Sequence, residues 1–156
     1  MEALPIVVFR SLCPDLQQEV VLFFESILAT GADRTFHPHP FTAAEADLRC
    51  HYSGKDIYCA LLEDGRMRGY GLLRGWDEGF DVPSLGIAIA STCQGRGYGR
   101  KLMLHLHDLA RAKGAKRIRL SVYTENKKAI ALYRSLGYRF GDESNEKLVA
   151  YYDVDD

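Results

Sequence analysis

A chain of 156 residues has the length of one ordinary domain, and 47% hydrophobic with 26% charged residues exclude a disordered or collagen-like protein. Twenty Lys and Arg against 21 Asp and Glu leave a net charge of −1, so no global field draws the chain to nucleic acid or an anionic membrane. No apolar run approaches the roughly 18 residues of a membrane span, and Met1-Glu-Ala-Leu-Pro5 lacks a basic leader, so a soluble, cytoplasmic protein is expected.

In chain order, Ile6–Phe9 reads as a first strand, and the three-and-four spacing of Leu16, Val20, Phe23, Phe24, Ile27 and Leu28 predicts a helix stopped by Gly31. Arg34 to Phe41 carries Pro38 and Pro40, which remove backbone donors and push His37 and His39 toward extended geometry. Thr42 with Glu45 is a capping-box pair for a short helix reaching about Tyr52. Ile57–Leu62 and Met67–Arg74 are strands around an Asp64-Gly65 turn, the second loosened by Gly69 and Gly71. After a loop containing Trp76 and three acids, Ser84–Ala90 is apolar enough for a strand buried on both faces.

A helix over Gly95–Lys113 follows, with Leu102, Leu106, Leu109 and Ala110 on one stripe. Then come a strand over Arg117–Tyr123, a helix over Lys127–Leu136 and a last strand over Lys147–Val154, with a short strand near Tyr138–Phe140. No repeat or linker interrupts residues 1–156, so one mixed α/β domain is expected. Cys13, Cys50, Cys59 and Cys93 form no close pair and read as small buried side chains in a reducing compartment. His105 and His107 are read as surface residues, and the basic run Arg111–Arg119 as a solvated helix end or a phosphate contact. No tight metal-ligand pair is recognisable, His37, His39 and His51 included.

The informative stretch is Ser91-Thr-Cys-Gln-Gly-Arg-Gly-Tyr-Gly-Arg100, between the apolar strand and an amphipathic helix. Gly95, Gly97 and Gly99 let the backbone turn tightly and approach a ligand, and amides of the first helical turn can point at an anion. A diphosphate-binding strand–loop–helix follows. The order is neither that of a P-loop nor G-x-G-x-x-G.

The spacing Gln94-Gly-Arg-Gly97-Tyr-Gly99 resembles the Gln/Arg-x-x-Gly-x-Gly/Ala motif of the GNAT superfamily of acyl-CoA-dependent N-acyltransferases. Ser121–Asn126 and Ala129-Ile-Ala-Leu-Tyr133-Arg-Ser-Leu-Gly137-Tyr resemble its fifth strand and following helix. The resemblance implies a mixed central sheet with a splayed fourth strand and flanking helices, and a cofactor-binding core over about 84–140. It implies acetyl-CoA as co-substrate. The pyrophosphate would rest on Gln94, Gly95, Arg96, Gly97, Tyr98, Gly99 and Arg100. Backbone of Ile87, Ala88 and Ile89 would meet the pantetheine and thioester, Asn126 the pantetheine arm, and Tyr133 would protonate the leaving thiolate. The family often dimerises, although no interface signature is readable here.

Many relatives carry a glutamate base on the fourth strand or a neighbour; Ser84–Ala90 and Met67–Arg74 contain no carboxylate. His37 and His39 are therefore candidates to deprotonate or orient the acceptor, against the alternative that their loop merely packs Phe36 and Phe41. The implied function is acetyl transfer to a primary amine by direct attack in a ternary complex. A small-molecule amine such as an amino sugar is the preferred acceptor. The alternatives are a protein N-terminus or lysine, or a catalytically silent acyl-CoA-binding module.

Overall fold

The computed structural model describes residues 3–144 and 146–154. Its strands are β1 (Val7–Ser11), β2 (Ile57–Glu63), β3 (Arg66–Arg74), β4 (Ser84–Ile89), β5 (Arg117–Tyr123), β6 (Arg139–Ser144) and β7 (Lys147–Asp153). Its helices are α1 (Gln17–Thr30), α2 (Ala43–Cys50), α3 (Tyr98–Ala112) and α4 (Lys127–Ser135). The strands form one sheet in the order β1-β2-β3-β4-β5-β7-β6, antiparallel throughout except for the parallel β4–β5 junction.

Local chemistry explains the boundaries. Pro14 opens a 3-10 turn that leads into α1, where a missing N–H costs nothing. Val20, Phe23, Phe24 and Ile27 are the buried face of α1. Thr42 caps α2 as the pattern predicts, its Oγ1 accepting the Glu45 N–H at 3.0 Å. The Glu45 carboxylate does not reach back to complete the box, because it pairs with Arg49 instead. The short strand near Phe140 is longer than expected, and α3 begins at Tyr98 rather than Gly95 because the glycine loop occupies the intervening residues.

Two unequal layers cover the sheet. On one face α3 and α4 bury Leu102, Met103, Leu106 and Ile130 against Leu61, Leu73, Ile118 and Leu120. Leu102 and Leu106 are fully buried, each contributing roughly 1.5–3 kcal/mol. On the other face α1 and α2 pack on Tyr58, Ala60, Leu62, Tyr70 and Leu72 of β2 and β3, and no residue of β5 or β7 joins that cluster. Half of this second face is therefore left without a helical cover.

Two sequence readings change. Gly71 does not loosen β3, which there pairs with both β2 and β4, whereas Gly69 adjoins a bulge at Arg68 in the β2 pairing. A Cβ at Gly71 would lie 2.9 Å from Leu106 Cδ1, so the glycine lets α3 settle closely onto the sheet. His107 is not a surface residue: it is 3% exposed, its Nε2 lies 2.8 Å from the Tyr138 hydroxyl, and its ring stacks on Tyr152 at 4.3 Å. It sits one helical turn after the buried Met103, so the apolar stripe of α3 is wide enough to include it.

Candidate functional site: a split sheet between two cavities

The parallel β4–β5 contact consists of one register pair, Ser84 with Arg119, backed by the Arg119 N–H donating to the Pro83 carbonyl at 2.9 Å. Beyond it the strands part. The Ala90 N–H donates to the Arg68 carbonyl at 2.7 Å. By the alternation of an antiparallel ladder, Ile87 and Ile89 then turn their N–H and C=O groups away from β3, into the gap. This corrects the expected burial of β4 on both faces: only Leu85 is buried, and Gly86 to Ile89 are partly open because β5 has moved away. Gln94 reaches back across the gap's end, its Nε2 donating to the Ile89 carbonyl at 3.1 Å.

The glycine loop sits at the mouth of this gap. Gly95 and Gly97 adopt φ of 82° and 79°, the left-handed region that other residues enter only with strain, and Gly97 is the N-cap of α3. A Cβ built on either meets nothing within 4 Å, so both would project into open space where a ligand would otherwise lie against backbone. The first helical backbone bond is Lys101 N–H to the Gly97 carbonyl at 3.1 Å, which leaves the preceding amides of Tyr98, Gly99 and Arg100 directed outward at the positive end of α3. These features fit a diphosphate.

A cleft of about 500 Å³ runs from this loop along the open edge of β4, lined by Ile87, Ala88, Ile89, Gln94, Gly95, Gly97, Tyr98, Gly99, Arg100, Asn126 and Tyr133. Arg96 does not line it. Its guanidinium pairs with Glu63 at 2.9 Å, and the Tyr98 hydroxyl donates to the same carboxylate, so Glu63 pins the loop from outside. Asn126 caps α4, its Oδ1 accepting the Ala129 N–H at 3.3 Å. The Tyr133 phenol is pushed up to about 12 by burial, which keeps the hydroxyl protonated at neutral pH.

A second cavity, about 740 Å³, lies on the half of the sheet that α1 and α2 leave bare. Thr35 to Pro38 form one wall, Phe80 and Val82 another, and the outward residues of β5 its floor. The two cavities share Thr35, Phe36, Leu85, Gly86, Ser121 and Tyr123, so they meet at the point where β4 and β5 separate.

The two histidines of the proline loop part company here. His37 lines the second cavity, its Nδ1 on the Asp33 carbonyl at 3.1 Å and its ring 6.3 Å from that of Tyr123. His39 does not face the cleft, contrary to expectation. A bend at Pro38–His39 turns it into the core against Phe24 and Phe41. Its Nδ1 lies 2.7 Å from the Pro40 carbonyl and its Nε2 2.7 Å from the Tyr70 hydroxyl. A carbonyl only accepts, so Nδ1 carries the proton and Nε2 accepts from Tyr70. Burial lowers the pKa of this imidazole and holds it neutral.

The basic run also divides. Lys113 sits 4.9 Å over the Trp76 ring, while Arg117 and Arg119 line the second cavity rather than the first. Sequence reasoning passed over Arg74, Arg119, Tyr123 and the anchoring Glu63. The alternation Arg117-Ile-Arg-Leu-Ser-Val-Tyr123 is a signal for Arg119 and Tyr123, because a polar face on a central strand marks a face without a helix over it; nothing local marks Arg74. No group of three or more His, Cys, Asp or Glu is positioned to hold a metal among the described residues. Nor is any described helix long and apolar enough to cross a membrane.

A sheet split at its fourth strand, beside a glycine loop that opens a helix, defines the architecture of an acetyltransferase of the GNAT class. The chain belongs to that family: the Acetyltransferase (GNAT) family model matches residues 25–138. It is 33% identical over 85 residues to streptothricin acetyltransferase of Streptomyces lavendulae, covering 53% of this chain and 44% of that protein. It is 35% identical over 117 residues to the N-alpha-acetyltransferase RimI of Mycobacterium tuberculosis, covering 74% of this chain and 68% of that one. The chain thus spans less than half the length of the first of these relatives. The GNAT domain of S. lividans PAT superposes with a TM-score of 0.81 over 96% of each chain at 17% identity, a likeness of fold.

Proposed function

We propose that the protein transfers the acetyl group of acetyl-CoA to a primary amine of a small molecule, both bound at once. The observation that carries this reading is the meeting of two cavities at the split between β4 and β5. Acetyl-CoA enters as substrate from the side of the glycine loop, and the amine from the side of His37. Amides of Gly97 to Arg100 hold the diphosphate, Ile87 and Ile89 offer backbone groups to the pantetheine and the thioester carbonyl, and Asn126 borders the same arm. The amine nitrogen attacks the carbonyl carbon, the C–N bond forms as the C–S bond breaks, and the Tyr133 hydroxyl gives its proton to the departing thiolate. His37 is the histidine that lines the cavity by which the amine arrives, and it receives or relays the proton the amine loses. His39 is assigned no chemical role.

The volume of this second cavity, about 740 Å³, is that of a site for a small acceptor such as an amino sugar. The resemblance to RimI is what favours the second reading, a peptide α-amine. Four cysteines, none in a disulfide, suit a reducing cytoplasm. Thiol release from acetyl-CoA, followed against amino sugars, amino acids, polyamines and short peptides, tests the proposal. Turnover with a small amine at least tenfold above the peptides supports it. Preference for peptides installs the second reading, and CoA binding without thiol release by any amine overturns both.

A further inference from the structure

We infer that the acceptor carries an anionic group, a carboxylate or phosphate, in addition to its amine, and that Arg119 holds it; this rests on the acetyl-transfer reading above. The second cavity is rich in cations. Arg74, Arg117, Arg119 and Lys147 line it, against one carboxylate, Glu78, which is exposed. Three of these cations are already engaged. Arg74 donates to the Pro38 carbonyl and so fixes the proline loop. Arg117 pairs with Asp153 at 3.1 Å, and Lys147 lies 4.7 Å over the Tyr123 ring.

Arg119 differs. It is half-buried, and among the described residues its guanidinium has no hydrogen bond, ion pair or ring contact. A partly desolvated guanidinium with no counter-charge is unfavourable, and its planar fork of donors matches a carboxylate or phosphate bidentately. Strand alternation places Arg119 on the same face as Ser121 and Tyr123, with Ile118, Leu120 and Val122 turned into the core on the other side. That orientation follows from the missing helix layer. Where α1 or α2 would cover β5 there is cavity instead, so an arginine is tolerated in the middle of a sheet.

Position fixes the size class. Arg119 is the residue paired with Ser84 at the last point of β4–β5 contact. Ser121, at the split where the two cavities meet, is two residues further on, roughly 6.6 Å by the strand rise. An amine at the split and an anion at Arg119 therefore belong to one compact molecule. A polycationic acceptor finds the wrong sign of charge at this floor.

Matched acceptors that differ in one anionic group remote from the amine provide the test: glucosamine against glucosamine 6-phosphate, and 5-aminopentanamide against 5-aminopentanoate, with kcat/KM measured for wild type and Arg119→Gln. At least one charged member should exceed its neutral partner by about tenfold or more, the scale of a charge-assisted hydrogen bond. In Arg119→Gln that ratio should fall to near one, and Arg119→Lys should restore part of it. The phosphate and carboxylate pairs separate the two kinds of anion. A merely structural Arg119 would lower both members and keep the ratio, which overturns the inference, as does a wild-type ratio near one in both pairs. If no amine releases thiol, the acetyl-transfer reading fails by itself. Calorimetric titration of the same four compounds then decides the anion site. Tighter binding of a charged member that Arg119→Gln abolishes sustains it, and equal or absent binding of the charged members overturns it.

Discussion

The two cavities lie on either side of one split in the sheet and are made of different materials. The cleft beside α3 is built from main chain: glycine amides, the first turn of a helix and the unpaired edge of β4. The cavity beside His37 is built from side chains that converge from the α1–α2 loop, the end of β3, the loop before β4, and the strands β5 and β7. Main-chain groups recognise what is invariant in a substrate, since any sequence with the right turn presents them. Side chains recognise what varies. The difference explains why the first cavity reads as a diphosphate site from ten consecutive residues, while the second is invisible until the chain is folded.

The strongest test of this contrast strikes the main-chain cleft. Gly97→Val forces a β-branched residue into φ near 79° and fills open space at the loop. Acetyl-CoA affinity should fall by on the order of a hundredfold or more, with the fold retained by circular dichroism. Near-normal affinity by calorimetry would remove the loop from the donor site. Tyr133→Phe probes the one side chain of that cleft given a chemical step. Turnover should drop roughly ten- to a thousandfold with little change in acetyl-CoA affinity. Pre-steady-state thiol release is the measurement, since it isolates chemistry from product loss.

The proline loop sharpens the comparison, because its two histidines should fail in different ways. His37→Ala should raise the acceptor KM or lower turnover by roughly ten- to a hundredfold while leaving the melting temperature near wild type. His39→Ala should do the reverse. It removes the acceptor of the buried Tyr70 hydroxyl and opens space beside Phe24, costing on the order of 2 kcal/mol in denaturant midpoints. Equal kinetic defects in the two variants would show that the loop acts as one unit.

The smallest effect belongs to the pH dependence of stability. Burial lowers the His107 pKa to about 4, below the ordinary value of 6.5. The unfolded chain then binds the proton more tightly than the folded one. The stability this histidine preserves is therefore full above pH 6.5 and is lost progressively as pH falls toward 4. The thermal midpoint should drop by several degrees across that window, and His107→Gln, which can still meet the Tyr138 hydroxyl, should flatten the slope. His39, also held neutral by burial, contributes in the same direction.

Much of the architecture was legible because it rests on short-range chemistry. The spacing of Val20, Phe23, Phe24 and Ile27, the Thr42 cap and the Asp64-Gly65 turn each act within a few residues. Errors arose wherever a distant element decided. Gly71 was read as a weakness in β3 because Leu106, which needs the space, lies 35 positions away along the chain. His107 was read as exposed because Tyr138 and Tyr152, which enclose it, follow by 31 and 45 positions. The same distance hid the anchor of Arg96, whose partner Glu63 lies on another strand.

By itself the sequence determined the order of the elements, the family resemblance and the position of the glycine loop proposed to hold the diphosphate, since hydrophobic period, capping and glycine spacing are properties of neighbouring residues. Tertiary structure alone decided that β4 would part from β5 after one register pair, that His37 would face a cavity and His39 the core, and that Arg119 would lie on a sheet face left bare by α1 and α2. Those outcomes depend on which surfaces meet when α1 and α2 can cover only part of a seven-stranded sheet, and no local pattern encodes where the cover ends.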